Sequence, residues 1–177
     1  MDIWLKEIEL EDGIEYLELL NELSSYDDVY AKPVPEPIAK EDYLDFKKAK
    51  IKMMLNDDLP GGKVQTSTYW VMKNSTPIGY ATLKHKILEN TPGGHFGLCL
   101  REEYQNKGIG SIVSKLLSKI AYEDIGIEEV VYTAKKENIQ SQKSLDNIGA
   151  EFVKEYNGYY YYKVDLNKKF NKEGRNI

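Results

Sequence analysis

Apolar residues recur every second position in some stretches of this chain and every third or fourth in others, and the changes of period mark its elements. Residues 3–8 read as an edge strand. Over 12–23, Ile14, Leu17, Leu20 and Leu23 fall at the spacing of a helix with one buried face. Pro33, Pro35 and Pro37 then alternate, which forbids helix and predicts an extended surface loop over 30–38. A second helix is predicted over 41–55, closed by a turn-rich break at 56–62 that contains Pro60-Gly61-Gly62.

Further along, residues 68–72 and 78–88 read as paired strands joined by the turn 73–77. A connection at 90–94 leads into a strand over 95–101, and an amphipathic helix follows over 112–125. The run Val130-Val131-Tyr132-Thr133-Ala134 reads as a buried strand. Residues 152–155 and 159–166 form a last hairpin, turning at Asn157-Gly158. The order of elements predicts an α/β chain with a mixed sheet and helices on both faces. At 177 residues it is long enough for one domain, here 1–166, and no internal repeat occurs. Residues 167–177 read as a polar, frayed tail.

Charge and composition remove several function classes. The net charge of −5 argues against nucleic acid, because phosphate-backbone binding needs clustered Lys and Arg. The pairs Lys47-Lys48, Lys135-Lys136 and Lys168-Lys169 are scattered and mixed with acids, and read as solvated faces. An acidic protein favours cationic substrates, amines among them. No stretch of about 18 apolar residues predicts a membrane span, and the first residues do not resemble a signal peptide. The only cysteine, Cys99, predicts neither an internal disulfide nor a metal site. These features lead to the expectation of a cytoplasmic protein that uses no metal.

The most informative stretch is 98–111. It runs from an apolar strand end through a polar hinge into Gln105-Asn106-Lys107-Gly108-Ile109-Gly110-Ser111 and straight into the amphipathic helix. A helix that begins where a strand stops leaves its first N–H groups unpaired, at the positive end of the helix dipole, and that corner binds phosphate oxygens. Glycines at 108 and 110 let backbone donors come close to an anion. A P-loop would need Lys-Ser/Thr after its last glycine, and a dinucleotide fold would need G-x-G-x-x-G with an acid about 20 residues on. Neither pattern is present.

Gln105 to Gly110 instead resembles the Q/R-x-x-G-x-G/A signature of the GNAT superfamily of acyl-CoA-dependent N-acetyltransferases. A second segment, from Asn138 through Gly149 to Phe152, is similar to that family's N-x-x-A/S…G-F segment, and the resemblance covers roughly residues 69–166. It implies a mixed, mostly antiparallel twisted sheet of about seven strands. The helices within 11–60 would flank the acceptor, 69–152 would hold acetyl-CoA, and 152–166 would close the sheet. It also implies transfer of an acetyl group from acetyl-CoA to a primary amine by direct attack. The corner Gln105, Asn106, Lys107, Gly108, Ile109, Gly110 and Ser111 would then hold the CoA pyrophosphate. Asn138, Ser141 and Ser144 would lie along the cofactor. The backbone N–H of Leu98 would meet the acetyl oxygen, and Leu100 would pair with the pantetheine amide.

Two departures bear on mechanism. Leu145 stands where many family members carry the tyrosine that reprotonates the CoA thiolate, leaving Tyr104 and the run Tyr159 to Tyr162 as other hydroxyl donors. Ala150 stands where the family usually has Phe, with Phe152 as its replacement. His95 is the candidate base, since imidazole titrates near working pH. Strand parity points it to the wrong face unless a bulge intervenes, and a structural role is the competing reading. His85 reads as structural and Cys99 as a small core residue. The acceptor is not specified, whether a small amine or a peptide or protein amine. A homodimer is compatible with this reading, and a non-catalytic acyl-CoA-binding or sensing module is the alternative function.

Overall fold

Residues 66–73 are apolar or small on both faces, and they form the strand on which everything else packs. The structure, a computed structural model, describes residues 2–26, 32–57, 59–88 and 93–173. Its first half runs β1 (Ile3–Glu7), α1 (Ile14–Ser24), α2 (Tyr43–Leu55), β2 (Thr66–Lys73), β3 (Thr76–Lys84) and β4 (Phe96–Leu100). There follow α3 (Ile109–Ile120), β5 (Glu129–Lys135), α4 (Ile139–Asn147), β6 (Glu151–Tyr156), β7 (Tyr159–Asp165) and α5 (Leu166–Glu173). No described helix is long and apolar enough to cross a membrane.

The seven strands expected are present, in two sheets. One sheet has the order β1-β2-β3-β4 and the other β5-β7-β6, and every pairing among the described residues is antiparallel. Alternation sends Trp70, Met72, Tyr80 and Cys99 to one face, under α1 and α2. Tyr69, Val71, Ile78 and Ala81 go to the other, where they join Val113 and Leu117 of α3 and Val130, Tyr132 and Ala134 of β5. Leu19, Leu20 and Leu23 of α1 are fully buried, each contributing about 1.5–3 kcal/mol of apolar transfer.

Several boundaries differ from the sequence reading. The strand predicted over 78–88 ends at Lys84. The connection expected at 90–94 lies outside the described residues except for Gly93 and Gly94, and residues 30 and 31 of the proline loop lie outside them too. The helix expected from 112 begins at Ile109, because Gly108 takes the left-handed conformation (φ +76°) that turns the chain into it. It ends in a wider π-type turn over Ala121–Ile125. The tail expected to fray forms α5 as far as Glu173: Asp165 Oδ1 accepts from the Lys168 N–H (2.9 Å) as a cap, Leu166 is fully buried, and Phe170 stacks on Tyr122 at 5.2 Å. Residues 174–177 lie outside the described residues. Phe152, expected to replace the family's Phe at Ala150, is 58% exposed on an edge strand, its ring edge meeting Tyr160 and Tyr162.

Candidate active site

The phase of the β3–β4 ladder decides which backbone groups of β4 are available. The two strands pair from Leu83 opposite Phe96 to Gly79 opposite Leu100. Past one end Arg101 N–H donates to the Ile78 carbonyl (3.0 Å), and past the other Lys84 N–H donates to the His95 carbonyl (2.8 Å). Hydrogen-bonded and non-hydrogen-bonded positions alternate in an antiparallel pair, so both ends define one phase. Gly97 and Cys99 bond to β3. Phe96, Leu98 and Leu100 therefore turn their N–H and C=O groups away from β3, toward a side with no paired strand, since β4 ends one sheet and β5 begins the other.

The two sheet edges meet at one point. His95 N–H donates to the Val131 carbonyl (2.8 Å), and Val131 N–H donates back to His95 Nδ1 (2.9 Å). Beside it a Cβ at Gly94 would run into the Val131 carbonyl, so only glycine lets the backbones come this close. The Phe96 ring meets Tyr132 edge-on at 5.0 Å. Beyond this apex no hydrogen bond joins β4 to β5 among the described residues, so the two edges run on unpaired with a gap between the sheets.

At the other end of β4 lies the glycine-bearing corner that the sequence reading assigns to phosphate. The first bond of α3 is Ile112 N–H to the Gly108 carbonyl (3.3 Å), so the N–H groups of Ile109, Gly110 and Ser111 have no intrahelical acceptor. Among the described residues no side chain caps them. Ile109 is buried and anchors the turn, while Gln105, Asn106, Lys107 and Gly108 are exposed, and a Cβ at Gly108 would meet nothing. Asn106 is also left-handed (φ +57°). A Cβ at Gly110 would stand 3.7 Å from Leu98 Cδ2, which brings the corner and the outward backbone of β4 together.

The second predicted segment is less uniform. Asn138 caps α4 by accepting the Ser141 N–H (2.9 Å), and Ser144 Oγ bonds back to the Gln140 carbonyl (3.0 Å). Leu145 is buried in the core shared with α3. His95 is also buried, and burial pushes its pKa below the ordinary range. With Nδ1 accepting from Val131, the lone pair that a base needs is occupied. Burial pushes the Cys99 thiol up to about 12, so it is not a ready nucleophile. His85 Nε2 lies 2.9 Å from Ser67 Oγ, in a hydrogen-bonded structural position.

Four connections escaped the sequence reading. Gln105 Nε2 donates to the outward Leu100 carbonyl (2.9 Å), and Gln142 Nε2 donates to the Lys135 and Lys136 carbonyls (3.2 and 2.8 Å), tying α4 to the end of β5. Arg101 Nε sits 2.9 Å from Glu22, whose other oxygen takes the Tyr26 hydroxyl (3.0 Å), and Tyr26 Oη accepts the Glu102 N–H (3.3 Å). This circuit ties the end of α1 to the end of β4. Finally, Asp12 reads as a helix start, yet it is buried under the sheet, accepting from Lys6, Trp70 Nε1 (2.7 Å) and Glu9 N–H. Nothing in local periodicity marks such long-range partners.

A split sheet with outward backbone groups on one edge and an uncapped helix N-terminus beside it offers the donors that a long ligand with phosphates and amides would need. The profile of the Acetyltransferase (GNAT) domain family matches residues 2–151. The chain belongs to the GNAT acetyltransferase family. Among solved structures it is similar to Campylobacter jejuni N-acetyltransferase PseH in complex with acetyl coenzyme A, at 17% identity and a TM-score of 0.63, covering 93% of this chain and 99% of that one. It is similar to FdhC, a nucleotide-linked sugar GNAT, at 17% identity and a TM-score of 0.69, covering 98% and 92%. A third likeness is to a probable acetyltransferase, at 16% identity and a TM-score of 0.72, covering 94% of each chain. No curated protein matches in sequence.

Proposed function

We propose that this protein transfers the acetyl group of acetyl-CoA to a primary amine by direct attack. The observation that carries the reading is the outward-facing backbone of Leu98 and Leu100, beside the uncapped start of α3 and within the gap between β4 and β5. The donor set suits acetyl-CoA: N–H groups for its pyrophosphate at Ile109, Gly110 and Ser111, and strand-like amides for its pantetheine arm. Gln105, Asn106, Lys107 and Gly108 shape the corner, and Asn138, Ser141 and Ser144 line the α4 side. Bound there, acetyl-CoA supplies the activated thioester.

The Leu98 N–H stabilises charge that develops on the acetyl oxygen, which is oxyanion-hole logic independent of side-chain type. Leu145 has no proton to give. A thiol with a pKa near ~8.5 leaves largely as thiolate without one. His95, with Nδ1 occupied and its charged form disfavoured by burial, fastens the apex of the gap and does not act as the base. The attacking amine gives its proton to solvent. The acceptor is an amine of a small molecule or of a peptide, and the protein's net negative charge favours approach of such cations.

The test has two stages. A ligand that binds only the folded state must raise its melting temperature, so acetyl-CoA is expected to raise it while ATP and NAD do not. Release of CoA is then followed across a panel of primary amines. No rise removes the binding site, and a rise with no release above background across the panel leaves a binding module in place of the enzyme.

A further inference from the structure

Trp70, Tyr80 and Cys99 stand opposite one another across β2, β3 and β4, and directly opposite residues share a face of the sheet. It is the face that α1 and α2 cover. At the Trp70 end the polar groups are matched, since the indole N–H donates to Asp12 and the ring packs on Tyr16 at 5.0 Å. The Tyr80 hydroxyl is different. Its residue is only 3% exposed, and the oxygen has no hydrogen-bond partner among the described residues. A buried hydroxyl left unpaired is costly, so the group calls for a bound partner.

Cations gather about Tyr80 and Cys99. Lys50 Nζ, on α2, lies 5.9 Å from the centre of the Tyr80 ring and 5.3 Å from that of Phe46. Burial raises the Cys99 thiol, and the ammonium of half-buried Lys32 is close enough to pull the other way. Other cations on this side are already matched: Lys6 by Asp12, Arg101 by Glu22, and Lys47 by the carbonyls of Leu10 and Asp12. Lys32 and Lys50 have no carboxylate partner among the described residues. Cys99 lies between Leu98 and Leu100, whose backbone groups face the gap. The Leu98 side chain reaches toward Gly110 and the α3 face, so Cys99 looks to the opposite face. A thioester held in the gap by the Leu98 N–H is therefore open to attack from the side that carries the two lysines.

We infer that Lys32, Lys50 and the Tyr80 hydroxyl form an anion site, and that the acceptor is an amine that also carries a phosphate or a carboxylate. The acceptor part rests on the transfer reaction proposed above. Net negative charge acts on the approach of a cation from a distance. At the site two unmatched ammonium groups repel a plain cation and hold an anion. An ammonium acts as a point charge and a phenol donates to any anionic oxygen, so the same trio serves either group.

Titration calorimetry on the full chain saturated with CoA tests the site apart from the reaction, because no acetyl group is present. Aminoalkyl phosphates and amino acids with a terminal amine, in increasing chain length, are compared with plain alkylamines of the same length. One anionic series is expected to bind while its neutral twins do not, and the tighter series tells phosphate from carboxylate. Lys50→Met is expected to weaken that binding roughly tenfold to a hundredfold, the loss of one charge-assisted contact, and Lys50→Arg to retain most of it. Tyr80→Phe is expected to weaken it as well while the free protein melts no lower than the wild type, since its hydroxyl has no partner there. Melting curves check that each variant is folded. Neutral twins that bind as tightly as the anionic amines, no binding by either anionic series, or binding indifferent to both Lys50→Met and Lys32→Met would each overturn the site. Release of CoA from acetyl-CoA with the same compounds then reads the reaction: anionic amines that bind and release nothing would sink the transfer while supporting the anion site.

Discussion

Replacing His95 with Ala removes the acceptor of the Val131 N–H at the one point where the two sheet edges touch. A buried N–H left without a partner costs about 1–3 kcal/mol. In a chain of 177 residues each kcal/mol lowers the melting temperature by about 2–4 °C, so the variant is expected to melt roughly 2–12 °C below the wild type at pH 7.5. Acidity supplies an independent check. The folded-state pKa of His95 lies below its ordinary value of 6.5, first because burial penalises the imidazolium. Between those two values the unfolded chain binds more protons than the folded one, so the wild type loses stability as pH falls through 6.5 toward the folded pKa. The Ala variant lacks that loss. The gap between the two melting curves is therefore full above pH 6.5 and narrows below it. His85 is also depressed by burial, but it acts on both proteins and cancels in the difference. Calorimetry at several pH values reads the gap directly. A variant that melts with the wild type at pH 7.5 while CoA release with a responsive amine collapses would refute the fastening role and restore His95 as the base.

Other expectations follow from single contacts. Gly108→Val forces a β-branched residue to φ +76°, at a local cost of about 1–2 kcal/mol, and is expected to abolish the stabilisation by acetyl-CoA in paired melting curves while the fold persists. Asp12→Ala strands the Lys6 ammonium, the Trp70 indole N–H and the Glu9 N–H beneath the sheet, and is expected to lower stability by about 3–5 kcal/mol in urea unfolding. Asn138→Ala loses the cap of α4 at about 1 kcal/mol; Asn138→Asp keeps an accepting oxygen and is expected to recover that stability in the same melting assay.

Much of the architecture was readable from periodicity because its causes are local. The positions Leu17, Leu20 and Leu23 of α1, the Asn157-Gly158 turn with φ of +50° and +77°, and the glycine-bearing corner before α3 each depend on a few neighbouring residues, while Ile14, read on the same buried face, is exposed at the start of the helix. Asp165 escaped notice as a cap because it also ends a strand, and α5 was read as a frayed tail although its Phe170 has a ring partner in Tyr122.

What the sequence by itself determined is the elements as far as β7, their order, and the glycine-bearing corner before α3, since propensity, turn chemistry and glycine spacing act over a few residues. Tertiary structure alone decided the rest. The phase of the β3–β4 ladder turns Leu98 and Leu100 toward the gap, the contact with Val131 occupies the His95 lone pair, and the place of β6 at the edge of its sheet among the described residues leaves Phe152 in solvent. Each depends on partners outside the local window, 36 residues away for His95 and Val131, or on the absence of a neighbouring strand among the described residues, and no local pattern encodes which edge a strand will meet.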